Sequence, residues 1–166
     1  MIIALTKKLA EKAKIQLDAP PDILNPFYSW HAKSFLYKGR NGMILINDKT
    51  YYSITLWGLK SVHFKKLDVV VKEAISETFL YEGFSDETVT GYIEQCGNVA
   101  YTKTYSRKII GILNSFELPI TYALYDHMEN RNVNIIEINK SMGRFLCGGP
   151  NYVNPIEQLR KEMNYD

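Results

Sequence analysis

Alternating apolar and polar residues predict a group of β-strands in the first third of the chain. Segments 27–37, 43–47 and 51–57 are rich in aromatic and β-branched residues. Turn-forming residues separate them, GRNG at 39–42 and NDKT at 47–50. This order predicts an antiparallel meander of three strands. The middle strand is almost continuously apolar, which indicates that it is covered on both faces.

The apolar positions change to a helical spacing after about residue 61. Segment 67–79 carries apolar residues three or four positions apart, and Gly83 follows it as a stop signal. Ser85, followed by two acidic residues, predicts the capped start of a second helix that ends at Gly97. Two consecutive helices are therefore expected after the meander.

The strand pattern returns at 98–105, and helical spacing dominates the remainder of the chain. Ser106 is expected to cap a helix in which Pro119 produces a kink or an end, because proline lacks an amide hydrogen. A second helical piece is predicted at 120–128. Asn154 is expected to cap a terminal helix that has proline at its first position.

These elements predict one α+β domain that comprises residues 1–166. The amino-terminal IIAL is expected to form a further short strand, with Thr6 as the cap of a lysine-rich helix after it. The predicted sheet is antiparallel, has four or five strands from residues 1–57 and 98–105, and carries its helices on one face.

The charge and cysteine content of the chain indicate which partners and which cellular compartment to expect. The 20 basic and 18 acidic residues give a net charge of +2, which lacks the strong basic bias of a protein that mainly binds nucleic acid. Cys96 and Cys147 form neither a disulfide scaffold nor a CxxC motif, which fits a reducing cytoplasm. A signal peptide and a membrane-spanning run are both missing, so a cytoplasmic protein without a membrane partner is expected.

Familiar catalytic signatures are absent from the sequence. It contains no GxSxG, no Walker loop, no GxGxxG and no HExxH. The histidines, His31, His63 and His127, have no cysteine at metal-binding spacing. No catalytic residue, metal or cofactor is therefore assigned from motifs.

Strand periodicity sharpens the interpretation of Trp30 and His31. Neighbouring side chains of a strand point to opposite faces, so these two residues are expected to point apart. Trp30 should fill the core, while His31 should lie on the wetter face beside Lys33. Alternatively, His31 contributes to a cleft as an acid, a base or a ligand, since histidine titrates near neutral pH.

Other polar residues allow both a structural and a functional interpretation. Asp48 is expected to bond backbone amides in its turn, with a catalytic carboxylate as the alternative. Lys103 and Arg107 flank a predicted helix start, where they either bind an anion or are simply solvated. Asn114 lies seven residues after Arg107 on the same helix face, and it is expected to bond local backbone rather than a ligand.

Three stretches together resemble a bacterial domain family of unknown function. They are NPFYSWHAKSFLY at 25–37, INDKTYYSI at 46–54 and YTKTYSRKIIGILN at 101–114. The resemblance covers about residues 1–118 and loosens after Pro119. It implies no particular activity, but it implies short stand-alone proteins and neighbourhoods of mobile elements. The matching positions include a candidate binding patch of Trp30, His31, Asn47, Asp48, Lys103, Arg107 and Asn114. We expect Trp30 or His31, the Asn47-Asp48 turn and the segment from Thr102 to Arg107 to converge in space. The alternative is that Trp30 and Asn114 belong to the core, the turn is only a turn, and Arg107 is solvated at a distance.

The sequence is compatible with two functions of different classes. The first is a cytoplasmic, non-catalytic interaction or regulatory module that binds a protein partner, associated with a plasmid, phage or defence system. The second is a small hydrolase that acts on a phosphate-containing or nucleic-acid substrate. In that case His31 is the acid or base, Asp48 is the carboxylate, and Lys103 and Arg107 bind the anion.

Overall fold

The computed structural model describes residues 1–129, 133–147 and 152–164. This part of the chain forms five strands, seven α-helices and a 3-10 turn at Pro26–Tyr28. The strands are β1 (Ile2–Leu5), β2 (Ser29–Tyr37), β3 (Arg40–Asn47), β4 (Ser53–Leu59) and β5 (Ala100–Lys103). The helices are α1 (Lys7–Ala13), α2 (Ser61–Phe64), α3 (Leu67–Tyr81), α4 (Asp86–Cys96), α5 (Arg107–Glu129), α6 (Ile135–Met142) and α7 (Pro155–Glu162).

The five strands form one mixed sheet in the order β4-β3-β2-β1-β5. The predicted meander is confirmed, since β2, β3 and β4 pair antiparallel. The prediction of a purely antiparallel sheet is wrong, because β1 runs parallel to both β2 and β5. The chain between β1 and β2 includes α1 and crosses over the sheet, and such a crossover brings two strands into parallel pairing.

Helices cover both faces of the sheet, so the prediction of helices on one face is also wrong. Met43 and Leu45 of β3 join a core with α1, α3, α4 and α7. The alternate residues Ile44 and Ile46 join a second core with α5 and α6. The middle strand of the meander is therefore buried on both sides, as its continuous apolar sequence predicts.

Local signals mark the helix ends of the central segment correctly. Helix α3 ends just before Gly83, which has a φ of +96° in the left-handed region that favours glycine. The Ser85 hydroxyl accepts a hydrogen bond from the amide of Thr88 and caps α4. Among the helices of the described part of the chain, none has the length of apolar residues that a membrane span requires.

Helix α5 continues through Pro119 as a single element of 23 residues. Ile112 and Phe116 before the proline, and Ile120 and Leu124 after it, are all buried in the second core. Proline inside a helix costs about 3 kcal/mol. Burying several apolar side chains at about 1.5–3 kcal/mol each outweighs that cost, which is why the predicted separate piece at 120–128 belongs to α5.

The buried side chain of Asn139 on α6 pairs with the outer edge of β4. Its Oδ1 accepts from the Thr55 amide at 2.7 Å, and its Nδ2 donates to the Thr55 carbonyl at 3.2 Å. This side chain thereby takes the place of a neighbouring strand and blocks an edge that could otherwise pair with another chain.

The variant Asn139→Ala removes both hydrogen bonds to the β4 edge. We expect the free energy of unfolding to fall by about 2 kcal/mol, because backbone groups of a buried residue lose their partners. Urea denaturation measures this loss. Asn98→Ala, at an exposed asparagine before β5, is the control and should change stability by less than about 0.5 kcal/mol. Equal losses in both variants would contradict the role given to Asn139.

Candidate functional site

His31 lies at the centre of the sheet on the face that α5 covers. It pairs with Ala4 of β1 on one side and with Ile46 of β3 on the other. Its side chain is fully buried. The expectation of a wetter face beside Lys33 is therefore wrong for His31, because α5 packs over that face and excludes water.

A carboxylate and a phenol accompany the imidazole. Asp48, in the turn between β3 and β4, has Oδ1 at 2.7 Å from His31 Nδ1. The Tyr105 hydroxyl donates to Asp48 Oδ2 at 2.5 Å, and its ring lies edge-on to the imidazole, with centroids 4.5 Å apart. Only 7% of the Asp48 side chain is exposed. The carboxylate thus accepts a bond on each oxygen inside the protein.

The hydrogen bonds also define the protonation pattern of His31. Its Nε2 faces the backbone amides of Tyr105 and Ser106, at 3.4 and 3.3 Å. A backbone N–H group can only donate a hydrogen bond, so Nε2 of His31 is the acceptor and carries no proton. The proton of the neutral imidazole is therefore on Nδ1 and is donated to Asp48. Both ring nitrogens are occupied within the fold.

Asn47 builds the turn that carries Asp48. Its Oδ1 accepts from the amides of Lys49 and Thr50 at 3.1 and 3.0 Å. Its Nδ2 donates to the Phe27 carbonyl at 2.8 Å. Asn47 therefore ties the β3–β4 turn to the segment before β2, and its amide group is fully used in doing so.

Trp30 points to the other face of the sheet, and its predicted place in the core is confirmed. The side chain is completely buried, and its Nε1 donates to the Tyr92 hydroxyl at 3.1 Å. Tyr92 in turn donates to the Phe27 carbonyl at 2.9 Å. Trp30 is thus separated by the sheet from the imidazole of its neighbour in the chain.

The remaining residues of the candidate patch are exposed. Lys103 is the last residue of β5, and Arg107 is the first residue of α5. Asn114 lies farther along α5, where its Oδ1 accepts from Lys33 Nζ at 2.9 Å. Its side chain therefore bonds a side chain of β2, whereas the sequence predicted a bond to local backbone.

The predicted convergence holds for part of the patch. His31, Asp48 and the segment before α5 meet, while Trp30 lies on the opposite face. The strand predicted at 98–105 gives Tyr105 no role in the site, whereas β5 ends at Lys103 and Tyr105 lies in the connection to α5. Among the described residues, no three His, Cys, Asp or Glu side chains group as a metal site would require.

A family model matches almost the whole chain. The model of a domain of unknown function, DUF6933, matches residues 2–158, so the chain belongs to that family. The match extends beyond residue 118, where the resemblance of the sequence stretches ends, and it includes all of α5. A search of curated proteins finds no match.

Replacement of Asp48 tests the network directly. Asp48→Ala leaves the His31 Nδ1–H and the Tyr105 hydroxyl without their acceptor, so we expect a loss of about 3 kcal/mol in unfolding free energy. Asp48→Asn should lose less, because an amide oxygen can still accept from His31. Denaturation with urea measures both. Asp22→Ala, at an exposed site, is the control. An Asp48→Ala protein as stable as the wild type would show that the network does not hold the fold.

The pKa of Tyr105 predicts a loss of stability in alkali. Burial first, and then the hydrogen bond to Asp48 and its charge, raise the pKa of the phenol above its ordinary value of 10.0. The folded state thus favours the protonated phenol. Its contribution to stability is complete below pH 10, the unfolded value, and is lost as the pH rises toward the folded pKa.

We therefore expect Tyr105→Phe to lose less stability than the wild type between about pH 8 and about pH 11. Burial also raises the pKa values of Tyr52, Tyr92 and Tyr101. These three tyrosines are present in both the wild type and Tyr105→Phe. The difference between the two proteins in the loss of unfolding free energy therefore reports on Tyr105 alone. Identical losses in the two proteins would contradict the pKa assignment.

Proposed function

We propose that this member of the DUF6933 family is a non-catalytic interaction module that binds a protein partner in the cytoplasm. A regulatory role in a plasmid, phage or defence system is the proposed setting, which the resemblance of the sequence stretches supports. The observation that carries the proposal is the closed hydrogen-bond network of His31, in which the protein itself satisfies every polar atom of the imidazole.

A general base needs a free lone pair within reach of substrate. In the neutral imidazole that lone pair is on Nε2, which the amides of Tyr105 and Ser106 occupy. The ring is also fully buried. A buried, saturated network of this kind supports a structural role, in which His31 holds the start of α5 against the sheet.

Exposed apolar side chains support a protein as the partner. Leu118, Tyr122 and Tyr125 of α5 are 61%, 66% and 48% exposed. Tyrosine supplies large contact area together with a polar tip, and it is enriched in protein interfaces. The small net charge of +2 gives less support to nucleic acid as the main partner.

A hydrolase is the second candidate, and the short contact between His31 and Asp48 favours it. A carboxylate 2.7 Å from an imidazole is the pairing that orients a catalytic histidine. Lys103 and Arg107 are exposed near the same segment and could bind a phosphate-containing or nucleic-acid substrate. This candidate requires Nε2 to exchange its backbone amides for a substrate proton.

Activity and stability measured on the same variants separate the two candidates. We expect wild-type protein to hydrolyse phosphomonoesters, phosphodiesters, single-stranded DNA and RNA no faster than His31→Ala does. We also expect His31→Ala to lose about 3 kcal/mol of unfolding free energy, because a buried, hydrogen-bonded ring is removed. Arg107→Ala, on an exposed side chain, should lose less than about 0.5 kcal/mol.

One pattern of activities would instead support the hydrolase. Hydrolysis by the wild type that is lost in both His31→Ala and Arg107→Ala, with Arg107→Ala still folded, would establish the hydrolase and reject the non-catalytic module. Circular dichroism at the assay temperature shows whether each protein is folded.

A further inference from the structure

One face of α5 is exposed to solvent from the first residue of the helix to the last. From Gly111 onward its residues are spaced alternately four and three apart, the repeat of a seam between two paired helices. All of them are exposed to solvent, although the opposite side of α5 is buried in the second core. We call this face the outer stripe, and it consists of Arg107, Gly111, Ser115, Leu118, Tyr122, Tyr125 and Glu129.

We propose that the outer stripe binds a second copy of this chain, with the two α5 helices antiparallel and Leu118 on the two-fold axis. This inference rests on the proposed function in one respect, since it names the partner of an interaction module. It commits to a homodimer, in which the same surface serves both subunits.

Charge supports the antiparallel direction. Arg107 and Glu129 stand at opposite ends of the stripe, about 33 Å apart along the helix axis. With Leu118 at the centre, each Arg107 faces Glu129 of the partner subunit, and the dimer contains this pair twice. A parallel arrangement would instead bring equal charges together, which is destabilising. The two helix dipoles also oppose each other favourably in the antiparallel pair.

Side-chain size is complementary in the same register. The amino-terminal half of the stripe contains the small residues Gly111 and Ser115, while the carboxy-terminal half contains Tyr122 and Tyr125. The two-fold axis at Leu118 places Gly111 opposite Tyr125 of the partner subunit. Large side chains of one copy thus meet small residues of the other, as interdigitating helices require.

The small half of the stripe also borders a recess that can receive an aromatic ring. The recess has a volume of about 330 Å³, and its walls include Gly111, Ser115, Phe145 and Leu146. Phe145 and Leu146 are themselves 46% and 52% exposed. A tyrosine of the second copy would cover these apolar side chains and remove them from water.

The amino-terminal end of the stripe is basic and has small side chains, whereas its carboxy-terminal end is acidic and has large side chains. A surface that is complementary to itself after a half-turn fits a second copy of the same chain. A stripe shaped for a different protein has no physical need for this symmetry. We therefore infer self-association rather than binding of an unrelated helix.

A charge exchange provides the decisive experiment. Sedimentation equilibrium over a range of concentrations should show a monomer–dimer equilibrium for the full chain. Arg107→Glu or Glu129→Arg alone should raise the dissociation constant at least about tenfold, because two repulsive pairs form in each dimer. The double variant restores both pairs with reversed sign, so its dissociation constant should return to within about threefold of wild type.

Two further variants test the packing of the stripe. Gly111→Leu should abolish the dimer, since the new side chain occupies the space of the partner's tyrosine. It should leave the monomer folded, because a Cβ at Gly111 meets no atom within 4 Å. Leu118→Glu should also abolish the dimer. Leu36→Glu is its matched control, since Leu36 is 63% exposed but lies on β2, and it should dimerise as the wild type does.

Several results would overturn the inference. These are a wild type that stays monomeric at millimolar concentration, a dimer that Gly111→Leu leaves intact, or a double charge variant that fails to recover. A monomeric wild type that binds a different protein through the stripe would reject the homodimer and leave the interaction module standing. Hydrolysis that depends on His31 would reject the proposed function without changing the measured dissociation constants, so the two failures are distinguishable.

Discussion

The buried imidazole of His31 must have both of its nitrogens hydrogen-bonded, and this requirement determines how three distant segments meet. A buried polar atom without a partner costs about 1–3 kcal/mol. Asp48 satisfies Nδ1 from the turn after β3, and the Tyr105 and Ser106 amides satisfy Nε2 from the connection between β5 and α5. Each segment is therefore positioned against the centre of the sheet by one ring.

The position of α5 follows from this constraint. Its first residues lie beside the amides that His31 binds, so the helix begins directly over the middle of the sheet. Its buried residues then cover Ile44 and Ile46, and the opposite side faces outward. Because the buried side is determined by the sheet, the exposed side is determined as well. The internal network thus fixes both the buried side of α5 and the outer stripe opposite to it.

Local patterns were sufficient for the elements whose causes are local. The meander was predicted because its strands are joined by short turns, and α4 was predicted because Ser85 caps its first turn. The parallel pairing of β1 depends on a crossover and on contacts with β5, far along the chain, so no local pattern indicates it. The burial of His31 has the same kind of cause, since Tyr105 and Ser106, which contact the ring just before α5, lie 74 and 75 residues further along the chain. Tyr105 carries no local signal at all.

The residues of the candidate patch divide into two groups with different physical roles. His31, Asn47 and Asp48 lie inside the network, and Trp30 fills the core, so replacing them alters the packing of the protein first. Lys103 at the end of β5 and Arg107 and Asn114 on α5 are exposed, so their side chains can contact another molecule. The amides of Tyr105 and Ser106, which His31 binds, directly precede Arg107, so the internal network determines where the exposed helix begins. The 101–114 stretch therefore combines the amides that position α5 with the exposed side chains of Arg107 and Asn114 that this helix presents to solvent.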